Sequence, residues 1–175
     1  DVNSLELVRP RSVGVEQMGL WAMRQIGFID LLIELGISGP LRAGIVGSII
    51  GRMASPGSEA ATYRWLGSQS ALGELLDVDY ERMHLMTLYR ASDALMKHQA
   101  VIERVLYDRV HDLFGLETTV TLYDLTNTYF EGVAAANLKA RRGRSKEKRN
   151  DCPLVTLGLV LDGSGFVRRS ETFAG

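Results

Sequence analysis

"CPLVTLGLVLDGSGFVRRSETFAG", residues 152–175, decides how the end of this chain folds. Its first half, Pro153 to Asp162, is a run of β-favouring apolar residues, and "DGSG" at 162–165 is a hairpin signal in which Gly165 can take a positive φ. The segment from 165 mixes apolar and polar positions and reads as a further strand, paired antiparallel to the run before it. Upstream, "LETTVTLYDLT", residues 116–126, reads as another strand, and it finishes on a carboxylate, Asp124. As a turn residue, Asp124 would cap the backbone, with Thr126 and Asn127 as turn partners. As a metal ligand, it would offer a hard oxygen donor from a rigid sheet.

Before Gly115 the period is helical. In residues 12–36, Val15, Met18, Trp21, Met23, Ile26, Ile29, Leu32 and Ile33 recur at spacings of three and four, and Gly36 can supply a left-handed stop. Residues 39–58 open on Gly39-Pro40, suited to a first helical turn, and carry Gly44, Gly47 and Gly51, which would let another helix approach closely. Residues 55–79 read as two short helices with Ser58 as a cap. Residues 79–115 read as a long helix with Asp79 as its cap, and any break falls near 97–99. The expected organisation is therefore a helical region at 1–115 and a strand region at 116–175.

Composition sets broad limits. The chain has 175 residues, a formal net charge of −1 and 46% hydrophobic content. These values fit a globular protein of one large or two small domains. Cys152 is the single cysteine, which excludes an intramolecular disulfide and suits a reducing compartment. It reads as a buried apolar residue beside a strand. His84, His98 and His111 show no ligand spacing. Residues 26–37 are too short, and too interrupted by Asp30 and Glu34, to span a bilayer, so no membrane partner is expected. The chain begins at Asp1 without methionine and stops after a strand-like run, which suggests a piece of a longer protein.

The near-neutral total hides a basic run. Lys139, Arg141, Arg142, Arg144, Lys146, Lys148 and Arg149 fall within residues 139–149, opposed only by Glu147. They sit in a linker from about Thr126 to Asp151, a length that marks a functional or unstructured loop. The plain reading is a solvated loop. The functional reading is a surface for nucleic-acid phosphates. No aromatic residue interrupts the run, so stacking on single-stranded bases is not indicated. Tyr129 and Phe130 are expected to pack on the sheet.

Taken together, "LYDLTNTYFEG" and "RGRSKEKRNDCPLVTLGLVLDGSGFVRRSETFAG" resemble the start of the catalytic domain of DDE transposases of bacterial insertion sequences. That family carries a strand with D-x-T, then a basic G-x-S-K-x-x-R-x-D element, then V-x-L-G-L-V-x-D-x-x-G-F-P and a strand ending in F-x-G-N. Asp124 and Thr126 match the first. Gly143, Ser145, Lys146, Arg149 and Asp151 match the second. Leu157 through Val160, Asp162, Gly165 and Phe166 match the third, and Phe173 and Gly175 the last. Val167 replaces the family's proline. The resemblance covers about residues 118–175.

The resemblance implies an α+β protein in which the helical region precedes the first three antiparallel strands of an RNase H-like domain, itself incomplete. It implies that Asp124 is the first of three metal-binding carboxylates, two aspartates and a glutamate. Asp151 and Asp162 are poor substitutes for the other two, because both lie in loop or turn sequence. The family's cofactor is Mg2+ or Mn2+, and its chemistry is metal-dependent DNA strand cleavage and transfer. One carboxylate cannot clamp two ions, so stable metal binding and cleavage are not expected of this chain alone. Its partners would be double-stranded DNA, as transposon ends and target, and further copies of itself. Its location would be the bacterial cytoplasm, at the nucleoid. The rival readings are a non-catalytic DNA-binding or oligomerisation fragment that regulates transposition, and an unrelated helical interaction module.

Overall fold

The computed structural model describes residues 8–115, 122–143 and 150–175, with the side chains of all of these except 122–124. Its elements run α1 (Gly14–Gln25), α2 (Phe28–Glu34), α3 (Gly39–Ala54), α4 (Glu59–Ser68), α5 (Leu72–Leu76), α6 (Leu85–Phe114), β1 (Leu122–Tyr129), β2 (Leu154–Leu161) and β3 (Val167–Ala174). Among the described residues the architecture is α+β, with six helices and one three-stranded antiparallel sheet of order β1-β2-β3. Two compact units divide the chain, Asp1–Gln99 and Ala100–Gly175. That division falls inside α6, whereas the change of hydrophobic period falls after Gly115.

The helical unit is organised around α3. Its glycines face neighbouring chain, as their spacing suggested. A Cβ on Gly47 would stand 2.9 Å from Leu66 Cδ1 on α4, one on Gly51 2.5 Å from Thr62 Cγ2, and one on Gly44 3.2 Å from Thr87 Cγ2 on α6. Each glycine lowers helix propensity by about 1 kcal/mol and in return lets backbones close on each other. Ile45, Ile50, Leu32, Leu72 and Leu88 are fully buried around this contact. Tyr80 joins them, and its hydroxyl donates to the Ala43 carbonyl at 2.8 Å. Burial holds the Tyr80 phenol far above its usual range.

Three expectations are revised here. Residues 12–36 form two helices, because Gly27 adopts φ 62° and breaks the first. Gly36, at φ 70°, ends the second as expected, with Ile37 N–H bonded to Leu32 O and Gly36 N–H to Ile33 O. The buried face of α1 is Glu16, Gly19, Leu20 and Met23, while Val15, Met18 and Trp21 are exposed. Burying a carboxylate in place of a tryptophan requires partners. Glu16 Oε1 accepts from Ser12 Oγ at 2.5 Å and Ser70 Oγ at 2.9 Å, which ties the start of the chain to the turn after α4. Finally, Asp79 does not cap α6, which starts at Leu85. It closes a turn instead, accepting from Glu81 and Arg82 N–H. Ser58 does cap α4, accepting from Ala61 N–H at 3.3 Å.

In the second unit the hairpin forms at "DGSG". Asp162 Oδ1 accepts from both Ser164 and Phe166 N–H at 2.9 Å, Gly165 sits at φ 86°, and the register shifts between Val160 and Leu161. The end of α6 lies along β3. Glu103 bonds Ser170, Arg168 lies 4.8 Å over the Tyr107 ring, and Phe114 stacks on Phe166 at 5.6 Å. As the helix advances from 103 to 114, the strand partners step back from 170 to 166. Between Glu103 and Tyr107 the helix rises about 6 Å, close to the roughly 6.6 Å from Ser170 to Arg168, so the two periods match over that step. Ion pairs in the helical unit are peripheral: Arg9 and Arg11 both pair with the half-exposed Glu81.

Candidate functional site

Asp124 is the third residue of β1, not the end of a strand. The strand runs on to Tyr129 because Leu125 to Tyr129 keep pairing with Gly158 to Leu154. Thr126 and Asn127 are thus sheet residues, and Asn127 Oδ1 accepts from Thr156 Oγ1 across the ladder at 3.0 Å. The turn expected at Thr126 and Asn127 is therefore absent, because both lie within β1. In register Asp124 stands opposite Leu159 of β2, which itself stands opposite Ser170 of β3. The Asp124 side chain lies outside the described residues. Among the described residues, no group of three or more His, Cys, Asp or Glu side chains is placed to hold a metal ion. The described residues therefore do not by themselves compose a metal centre. Asp162 has one carboxylate oxygen committed to the hairpin and is fully buried.

The first part of the basic run is folded, not free in solvent. Ala134, at φ 47°, turns the chain after β1, and Asn137 N–H bonds Ala134 O. The segment then returns along the sheet. Arg141 exchanges both backbone hydrogen bonds with Leu154, N–H to O at 3.1 Å and O from N–H at 2.8 Å. Gly175 N–H donates to Lys139 O at 3.2 Å. Leu154 thus pairs with Tyr129 on one side and Arg141 on the other. Lys139 Nζ donates to Thr172 O at 2.5 Å and lies 3.9 Å from Glu171 Oε1. Arg141 and Arg142 are exposed. Arg144, Lys146, Lys148 and Arg149 lie outside the described residues.

A groove of about 590 Å³ opens at this end of the sheet, lined by Arg141 and Arg142 together with Glu131, Val133, Asp151 and Cys152 among others. Among the described lining residues, two arginines are matched in formal charge by Glu131 and Asp151. Such a site would not concentrate small free anions, but it can offer planar donor forks to a phosphate already held nearby. Cys152 is buried, as its sequence context suggested. Tyr129 and Phe130 are half-buried, and Phe130 N–H bonds Pro153 O. The sequence reading did not bring Glu131 and Val133 beside Arg141. That proximity depends on an alanine in the left-handed region, which composition does not announce.

A depression of about 380 Å³ in the helical unit carries Arg9, Arg11 and Glu81, whose charges already pair with one another. Among the described residues, no helix is long and apolar enough to cross a membrane. Comparison with models of known protein families, with curated proteins and with solved structures gave no match.

Proposed function

We propose that this chain is part of a DDE-type DNA transposase, with a helical region that binds transposon ends or a partner protomer and the opening strands of an RNase H-like catalytic domain. The observation that carries the reading is Asp124 placed inside the first strand of a three-stranded antiparallel sheet, with Thr126 and Asn127 in the same strand and not in a turn. The motif resemblance at 143–151 and 157–175 supports it, and so does a basic segment fixed to the sheet.

In this reading Asp124 is one carboxylate of a three-carboxylate site for Mg2+ or Mn2+, and the other two lie outside residues 1–175. The bound ions supply the charge stabilisation for DNA phosphoryl transfer. The part played by this chain is to hold Asp124 on a rigid ladder and to offer Arg141, Arg142 and the remaining basic residues to DNA phosphates. The chain alone holds DNA and does not cut it. Asp124→Ala in the longer protein that contains this segment should abolish strand cleavage and leave end binding intact, as read by nicking and gel-shift assays. Retained cleavage refutes the assignment.

A second reading, a non-catalytic DNA-binding or oligomerisation module that regulates transposition, is favoured by the exposed Val15, Met18 and Trp21 on α1. Self-association that sedimentation shows to be lost in Trp21→Ser, together with no strand nicking by the longer protein, supports the module; nicking by the longer protein supports the first reading.

A further inference from the structure

We infer that Lys139 is a positioning residue that holds Arg141 and Arg142 at the groove, and that the two arginines alone among these three contact the phosphodiester backbone of duplex DNA. The inference rests on the DNA reading above. Every polar group of Lys139 is engaged by the sheet end or the turn before it. Its ammonium donates to Thr172 O at 2.5 Å beside Glu171, its carbonyl accepts from Gly175 N–H at 3.2 Å, and its N–H donates to Asn137 Oδ1 at 3.0 Å. To meet a phosphate, the ammonium would have to leave both a carbonyl and a carboxylate.

Arg141 is different. Its backbone is fixed to Leu154 by two hydrogen bonds, while its side chain is exposed at the groove. Arg142 follows it, is also exposed and lines the same groove. Guanidinium forks on a backbone held in this way lose less entropy on binding than side chains on a free loop, which is how rigid presentation raises affinity. Lys139 supplies the anchor on the β3 side of that short segment, and Leu154 the anchor on the β2 side.

The test uses the whole chain and a random-sequence duplex of about 30 base pairs, titrated by fluorescence anisotropy between about 50 and 200 mM salt. Arg141→Ala and Arg142→Ala should each flatten the slope of log affinity against log salt by about 0.9. Lys139→Ala should leave the slope unchanged and weaken binding about fivefold at every salt concentration, about the effect of one lost hydrogen bond. Lys139→Arg should restore it. Without DNA, Lys139→Ala should speed amide exchange at Arg141 and Leu154. A Lys139→Ala variant that flattens the slope by about 0.9 with unchanged exchange is a direct phosphate contact and overturns the inference. So does one that changes nothing. If the wild-type chain does not bind duplex at the lowest salt, the DNA reading fails, and the exchange data alone decide whether Lys139 anchors the segment.

Discussion

The carboxylate of Glu103 accepts hydrogen bonds from both the backbone N–H of Ser170, at 3.2 Å, and the Ser170 hydroxyl. A helix side chain therefore satisfies a donor on an edge strand, one way that exposed sheet edges are closed to further pairing. Glu103→Ala should cost about 1–2 kcal/mol, since it removes the acceptor of both bonds from Ser170. Urea unfolding checks the magnitude, and faster exchange at the Ser170 amide checks the site.

Tyr80→Phe should change how stability depends on pH, with its deficit largest near neutrality and shrinking at alkaline pH. The buried phenol keeps its proton in the folded chain where the unfolded chain loses it, above about pH 10. Proton retention by the folded state makes stability fall as pH rises past that point, by up to about 1.4 kcal/mol per pH unit. The phenylalanine variant should lose that part of the slope. Near neutrality it should be about 1 kcal/mol less stable, from the missing bond to Ala43 O. Urea midpoints at pH 7 and between about pH 10 and 11 measure both.

Alanine at two kinds of glycine should act with opposite signs. At Gly51 the new methyl would meet Thr62 Cγ2 at 2.5 Å, and α3 and α4 must move apart, at a cost of about 1–3 kcal/mol despite better helix propensity. At Gly14 the methyl meets nothing within 4 Å, and the chain should gain up to about 1 kcal/mol. Thermal melts of the two variants give the comparison.

Asp162→Ala should open the hairpin, because Ser164 and Phe166 N–H both depend on Oδ1. The expected loss is about 2 kcal/mol. Asp162→Asn keeps an acceptor in place and should lose less. Denaturation followed by far-ultraviolet circular dichroism distinguishes them.

Much of this fold could be read from local rules. The "DGSG" hairpin, the Ser58 cap, the Gly36 stop and the close-packing glycines of α3 each follow from one residue's chemistry. The misreadings came where tertiary partners decide. The apolar spacing of Val15, Met18 and Trp21 pointed to the wrong face of α1, because Ser12 and Ser70 make Glu16 the buried residue. Gly27 and Ala134 take positive φ with no neighbouring turn signature to announce it. Asp124 looked like a strand end because Thr126 and Asn127 favour turns, yet pairing with β2 carries the strand past them. Half of the basic run was legible only as charge. Its attachment to Leu154 is a long-range contact that no local rule contains.

The buried Trp65 and the exposed Trp21, the chain's two tryptophans, both belong to the Asp1–Gln99 unit. Indole emission therefore reports directly on that unit, whereas Tyr107, Tyr123 and Tyr129 are the native chromophores of the Ala100–Gly175 unit. Any report of a single cooperative transition for this protein has to come from two optical signals that coincide.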